Sequence, residues 1–137
     1  MFVCPSGEKL NELLEYAKVE RKDIYMTNLV KCLLPHYRRP KPREIEACSQ
    51  YLDEETNIVN PRVIVTLGYL PAKYIFQKYE LMDNLSYSKI CGKTFNAGDK
   101  IILPLRHPAT LLYNPKIKEE MKENYRKIRT LLNSFPW

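Results

Sequence analysis

The run Arg62-Val63-Ile64-Val65-Thr66-Leu67-Gly68 restricts the folds open to this chain more than any other segment. Its nearly continuous β-branched and apolar residues leave no solvent face, which is the signature of a strand covered on both sides in a helix-layered parallel sheet. Asn60-Pro61 breaks the chain before it, and Leu70-Pro71-Ala72 opens a helix after it, to about Tyr79. A second apolar run, Ile101 to Leu105, and a shorter one, Ile24 to Asn28, read as further strands. Helical spacing of Leu10, Leu13, Leu14 and Ala17 predicts an amphipathic helix over 7–17. Pro42 starts another, carrying Ile45, Ala47, Cys48, Tyr51 and Leu52, and Lys116 to Leu132 forms the last. Between Asp83 and Lys100 the pattern is irregular, with turns at Gly92 and Gly98. Helices alternating with buried strands predict an α/β domain with a short, mostly parallel sheet.

The 137 residues suffice for a single domain, taken as 1–137. A 45% hydrophobic share and 28% charged residues of both signs support a packed core and argue against disorder. No apolar run reaches the roughly 18–20 residues of a membrane helix, so no membrane partner is expected. Met1-Phe2-Val3-Cys4-Pro5 lacks a basic segment followed by a long apolar one, so the expected location is cytoplasmic. A net charge of +6 is modest, but its placement is informative. His36, Tyr37, Arg38, Arg39, Lys41 and Arg43 lie in a proline-punctuated stretch with no acid among them, suited to meeting phosphates. Charges from Lys116 to Arg129 alternate in sign at helical spacing and read as a solvated face. Cys4, Cys32, Cys48 and Cys91 include no CxxC pair; taken alone, they read as small core residues.

Two polar residues stand directly after apolar runs: Asn28 after Ile24-Tyr25-Met26, and His107 after Ile101-Ile102-Leu103. In a parallel α/β sheet the residues just past the carboxyl ends of strands line the ligand crevice. An amide and an imidazole at two such ends suit the reading of a small polar ring.

Five segments, in order, resemble the iron–sulfur (family 4) uracil-DNA glycosylases. They are Phe2-Val3 with Gly7 and the following leucines; Thr27-Asn28-Leu29-Val30-Lys31-Cys32; Pro42-Arg43-Glu44-Ile45-Glu46-Ala47-Cys48; Pro61 to Gly68; and His107-Pro108-Ala109 with Leu111-Leu112 and Asn114-Pro115. The resemblance covers nearly the whole chain. It implies a three-layer α/β/α fold whose first strand is missing here, because the family's Gly-Glu-Ala-Pro-Gly strand end should precede Phe2. It implies excision of uracil from DNA in base excision repair, with uracil-containing DNA as the partner. Contacts with replication or repair proteins are a further expectation, and oligomeric state is left open.

The resemblance also distributes roles, each weighed against a plainer one. Phe2 would stack on a flipped-out uracil; a core phenylalanine is the alternative. Asn28 would accept from N3–H and donate to O4, which cytosine cannot match; the alternative is a turn residue. His107 would donate to uracil O2 as the glycosidic bond breaks; the alternative is a structural histidine. Arg38, Arg39 and Lys41, with Ala109, Leu111 and Leu112 in a wedge over 109–114, would contact DNA. Tyr113 stands where a basic residue is common in the family. Cys32 and Cys48 match two ligands of the family's [4Fe–4S] cluster; the other two would lie upstream, so the ligand set is incomplete. Three functions follow: a glycosylase, inactive if truncated; a non-catalytic DNA- or partner-binding relative; or an unrelated small α/β domain.

Overall fold

A computed structural model describes residues 5–27, 41–81 and 86–134. The chain divides into two compact units, one of residues 1–23 and 62–137, the other of residues 24–61.

In the larger unit, α1 (Pro5–Tyr16) is followed, after the second unit's residues, by β1 (Val63–Leu67), α3 (Tyr69–Lys78) and α4 (Tyr87–Ile90). Then come β2 (Phe95–Ala97), β3 (Lys100–Leu105), α5 (Thr110–Tyr113) and α6 (Lys118–Asn133). The sheet order is β1-β3-β2. β1 runs parallel to β3, from Val63 opposite Ile101 to Leu67 opposite Leu105. The two apolar runs of the sequence therefore pair with each other, with β3 central and β1 at one edge. Ile102 packs with Ala72, Ile75 and Phe76 of α3 and with Ile90, and Ile64 and Phe95 join that cluster. Strand alternation turns Leu103 and Leu105 to the opposite face, and α6 also packs on β3. There Met121, Tyr125 and Ile128 form the buried stripe of α6, and Leu10, Leu13 and Leu14 that of α1, which packs against α6. Helices on both faces make this unit an α/β/α layering.

The sheet is mixed, not mostly parallel, because the segment expected to be irregular contains β2. Phe95, Asn96 and Ala97 pair antiparallel with Ile102, Ile101 and Lys100. The two-residue turn between them uses Gly98 at φ +65°, the positive φ that tight hairpins need. Pro104 is tolerated in the central strand because it lies past the end of β2. Its carbonyl faces that side and accepts the Gly92 N–H at 2.8 Å, so the missing N–H interrupts no ladder there.

The second unit holds α2 (Pro42–Val59) and the segment before the basic stretch. Pro42 occupies the first turn, and the Glu44 carboxylate accepts the Lys41 backbone N–H at 2.8 Å, closing the helix start. Residues 24–27 are not a strand, contrary to the expectation from Ile24-Tyr25-Met26. Their attachment runs through side chains: the Tyr25 hydroxyl donates to Glu55 Oε2 at 2.5 Å and Thr27 Oγ1 to Glu55 Oε1 at 3.0 Å. One carboxylate of α2 thereby holds alternate residues of the segment.

Gly92, at φ +80°, tests the packing of the β2 turn on α6, where Lys127 Nζ donates to its carbonyl. A Cβ at Gly92 would overlap the Asn124 side-chain amide. Gly92→Ala should destabilise the protein by about 1 kcal/mol or more, since L-residues resist positive φ. In a double-mutant cycle read by urea unfolding, Asn124→Ala should recover only the steric part of that loss.

Candidate functional site

The parallel register of β1 and β3 ends both strands at the same edge, and the residues that follow meet there. Gly68 follows β1 with φ +100° and ψ 174°, a conformation essentially confined to glycine. Its backbone N–H donates to Leu105 O at 3.0 Å. A Cβ built on Gly68 would stand 3.6 Å from His107 Cβ and 3.9 Å from His107 Cδ2. The Pro61–Gly68 and His107-Pro108-Ala109 segments, distant in sequence, are thus neighbours at the carboxyl edge of the sheet, where α/β ligand sites form.

His107 is held in a defined state. The Ala109 backbone N–H donates to His107 Nδ1 at 3.0 Å. A ring nitrogen that accepts carries no proton, so in the neutral ring the proton sits on Nε2 and that nitrogen is the donor. Burial lowers the imidazole pKa from its ordinary value, which favours this neutral form at pH 7. The backbone carrying it is clamped as well: the Tyr87 hydroxyl donates to Leu105 O at 2.8 Å and the Tyr125 hydroxyl to Arg106 O at 2.7 Å. Burial raises the pKa of both phenols, so both remain protonated donors. Tyr87, Tyr125 and Gly68 were not singled out as functional positions in the sequence. The mark of Gly68 is a glycine directly after a fully apolar strand, and that of Tyr125 is an aromatic on the buried stripe of a highly charged helix.

Beyond His107 the chain turns at once into α5. Thr110, Leu111 and Leu112 donate their N–H groups to the carbonyls of His107, Pro108 and Ala109. Leu111, expected to meet DNA, is instead buried at 6% exposure and anchors the turn to the core. Its side chain points inward, so the exposed apolar residues of this turn are Leu112 at 50% and Tyr113 at 77%. Ala109 is half-buried at the start of the turn.

In the second unit, Thr27 precedes Asn28 and is tied to Glu55, two helical turns beyond Cys48 on the same stripe of α2. Cys48 is buried at 7% exposure. Lys41 is exposed at the start of α2. Phe2, Asn28, Cys32, Arg38 and Arg39 lie outside the described residues. Among the described residues no group of three or more His, Cys, Asp or Glu side chains could hold a metal ion. No helix among them is long and apolar enough to cross a membrane.

A profile described as the uracil DNA glycosylase superfamily matches residues 1–129. The chain is 40% identical over 136 residues to a protein of Sulfurisphaera tokodaii named Type-4 uracil-DNA glycosylase, covering 95% of this chain and 61% of that one. It is 41% identical over 140 residues to a protein of the same name from Saccharolobus solfataricus, covering 98% and 64%. One from Archaeoglobus fulgidus is 36% identical over 134 residues, covering 95% and 67%. The chain therefore spans about three fifths to two thirds of the length of these relatives.

The burial of His107 has a pH signature. Its folded pKa lies below the unfolded value of about 6.5, so between the two the unfolded chain binds the extra proton. The contribution to stability is complete above about pH 6.5 and is lost as pH falls through the folded pKa. Urea midpoints measured from about pH 8 down to about pH 5 should fall more steeply for the native chain than for His107→Gln, which cannot titrate; parallel curves would contradict the half-buried neutral ring.

Proposed function

Because the chain belongs to the uracil DNA glycosylase superfamily, we propose that it recognises uracil in DNA and hydrolyses the bond joining that base to its deoxyribose. The observation that carries this reading is the hydrogen bond from Ala109 N–H to His107 Nδ1, which leaves a neutral imidazole with its proton on Nε2. When the glycosidic bond breaks, electrons move onto the base while the sugar becomes oxocarbenium-like. A positioned N–H donor at uracil O2 interacts more strongly with that developing anion than with the intact base, so it lowers the barrier. Water then adds to C1′ and loses a proton, with no covalent bond between base and protein.

Recognition falls to other residues of the family's motifs. Asn28 reads the N3–H and O4 edge with its amide oxygen and NH₂, and Phe2 stacks on the extruded ring. The side-chain anchoring of Tyr25 and Thr27 on Glu55 supports Asn28 in this role by holding the residues that lead into it. Arg38, Arg39 and Lys41 neutralise phosphates, and Ala109 with Leu112 enters the space left by the flipped nucleotide. Cys32 and Cys48 are the proposed protein ligands toward a [4Fe–4S] cluster, which would brace the structure without joining the chemistry. The described residues do not by themselves fit such a cluster: Cys48 is a single buried thiol, and a cubane takes four ligands.

Single-turnover release of uracil from a labelled oligonucleotide tests the roles. His107→Gln should slow the chemical step by about 10²–10³-fold while DNA affinity stays near that of the native chain. Asn28→Asp should relax discrimination between uracil and cytosine by roughly ten- to hundredfold, the value of one well-placed base contact. A His107→Gln variant as fast as the native chain would remove the histidine from catalysis. An unchanged uracil-to-cytosine ratio would remove Asn28 from recognition.

A further inference from the structure

Among the described residues Tyr113 is the most exposed aromatic side chain, and nothing in the proposed chemistry uses it. At 77% exposure it is far more open than most of the aromatic residues, and Leu112 beside it is 50% exposed. Both follow directly from the hydrogen-bonded turn that starts at His107 O. Tyr113 closes α5, six residues beyond His107. The surroundings favour a polyanion: from Lys100 to Lys118 the chain carries Lys100, Arg106, Lys116 and Lys118 and no acidic residue. The turn also has a firm base, because Leu111 is buried beneath it.

Resting on the glycosylase reading, we infer that Tyr113 is a stacking platform for an unpaired nucleobase flanking the target nucleotide. An exposed ring offers a π-face that any base can occupy without sequence preference. A lysine or arginine there would instead hold phosphate as a point charge. The flipped uracil needs the pocket at His107, whereas the flanking base needs only an accessible aromatic face along the strand. The neighbouring Leu112 excludes water from the junction between the two.

Equilibrium binding of the full chain to a fluorescein-labelled single strand tests this. The strand carries a tetrahydrofuran abasic-site analogue with 2-aminopurine beside it, and the matching duplex is measured in parallel. Tyr113→Ala should weaken single-strand binding about five- to hundredfold, the range for loss of one aromatic stack, and abolish the 2-aminopurine response. Tyr113→Phe should retain both. Urea midpoints of the variants should match the native chain, because the side chain is exposed. Tyr113→Leu binding as tightly as the native chain would replace stacking by a generic apolar wedge and overturn the proposal. So would Tyr113→Ala binding as tightly as native, which would leave the residue to a protein partner. Native chain that binds neither DNA would overturn the glycosylase reading as well, which separates the two failures.

Discussion

The parallel pairing of β1 with β3 is the constraint on which the rest depends. Parallel neighbours cannot be joined by a tight turn, so residues between Leu67 and Lys100 must cross over the sheet, and α3, α4 and β2 are built from that crossover. The register puts Leu67 opposite Leu105, so the two strands end together. Gly68 and His107 become neighbours for this reason alone. A slip of one residue would exchange the faces of Ile102 and Leu103. Ile102 would then leave Phe76 and Ala72, and His107 would turn away from the edge.

The site built on that edge works with dipoles and neutral donors. His107 is kept neutral by burial and given one tautomer by a backbone N–H two residues on. Tyr87 and Tyr125, whose phenols burial keeps protonated, hold the carbonyls of Leu105 and Arg106. A donor fixed in this way needs no reorganisation when negative charge develops in front of it, which is where preorganised electrostatics has its effect. Positive charge without any acid lines the stretch around α5, from Lys100 to Lys118.

The second unit solves a different problem. Ile24-Tyr25-Met26 looks like strand material because its residues are β-branched or bulky, yet residues 24–27 are anchored by two hydroxyl groups on one Glu55 carboxylate. Strand propensity describes fitness for a pleated surface and needs a partner strand to be realised. The opposite error occurred at Phe95-Asn96-Ala97, too short to register as a strand but stabilised by Ile102 across the ladder and by Phe76 edge-on at 5.0 Å. The Gly98-Asp99 pair was the available hairpin signal.

Much of the architecture was legible because it follows from local periodicity. The strands at 63–67 and 101–105, the leucine stripe of α1, the start of α2 at Pro42 and the turns at Gly92 and Gly98 all express hydrophobic spacing or backbone restriction, which the chain carries in every environment, although 63–67 lies at the sheet edge and only Thr66 of it is buried. The position of His107 just past a strand end was likewise readable, and so was the family. Tertiary structure alone decided which elements meet. It brought Gly68 to 3.6 Å from His107, measured from a hypothetical Cβ, turned Leu111 inward and left Tyr113 outside. Those outcomes depend on contacts between residues distant in sequence, and on which side of a single helical turn faces the core. Neither is encoded in the spacing of any one segment.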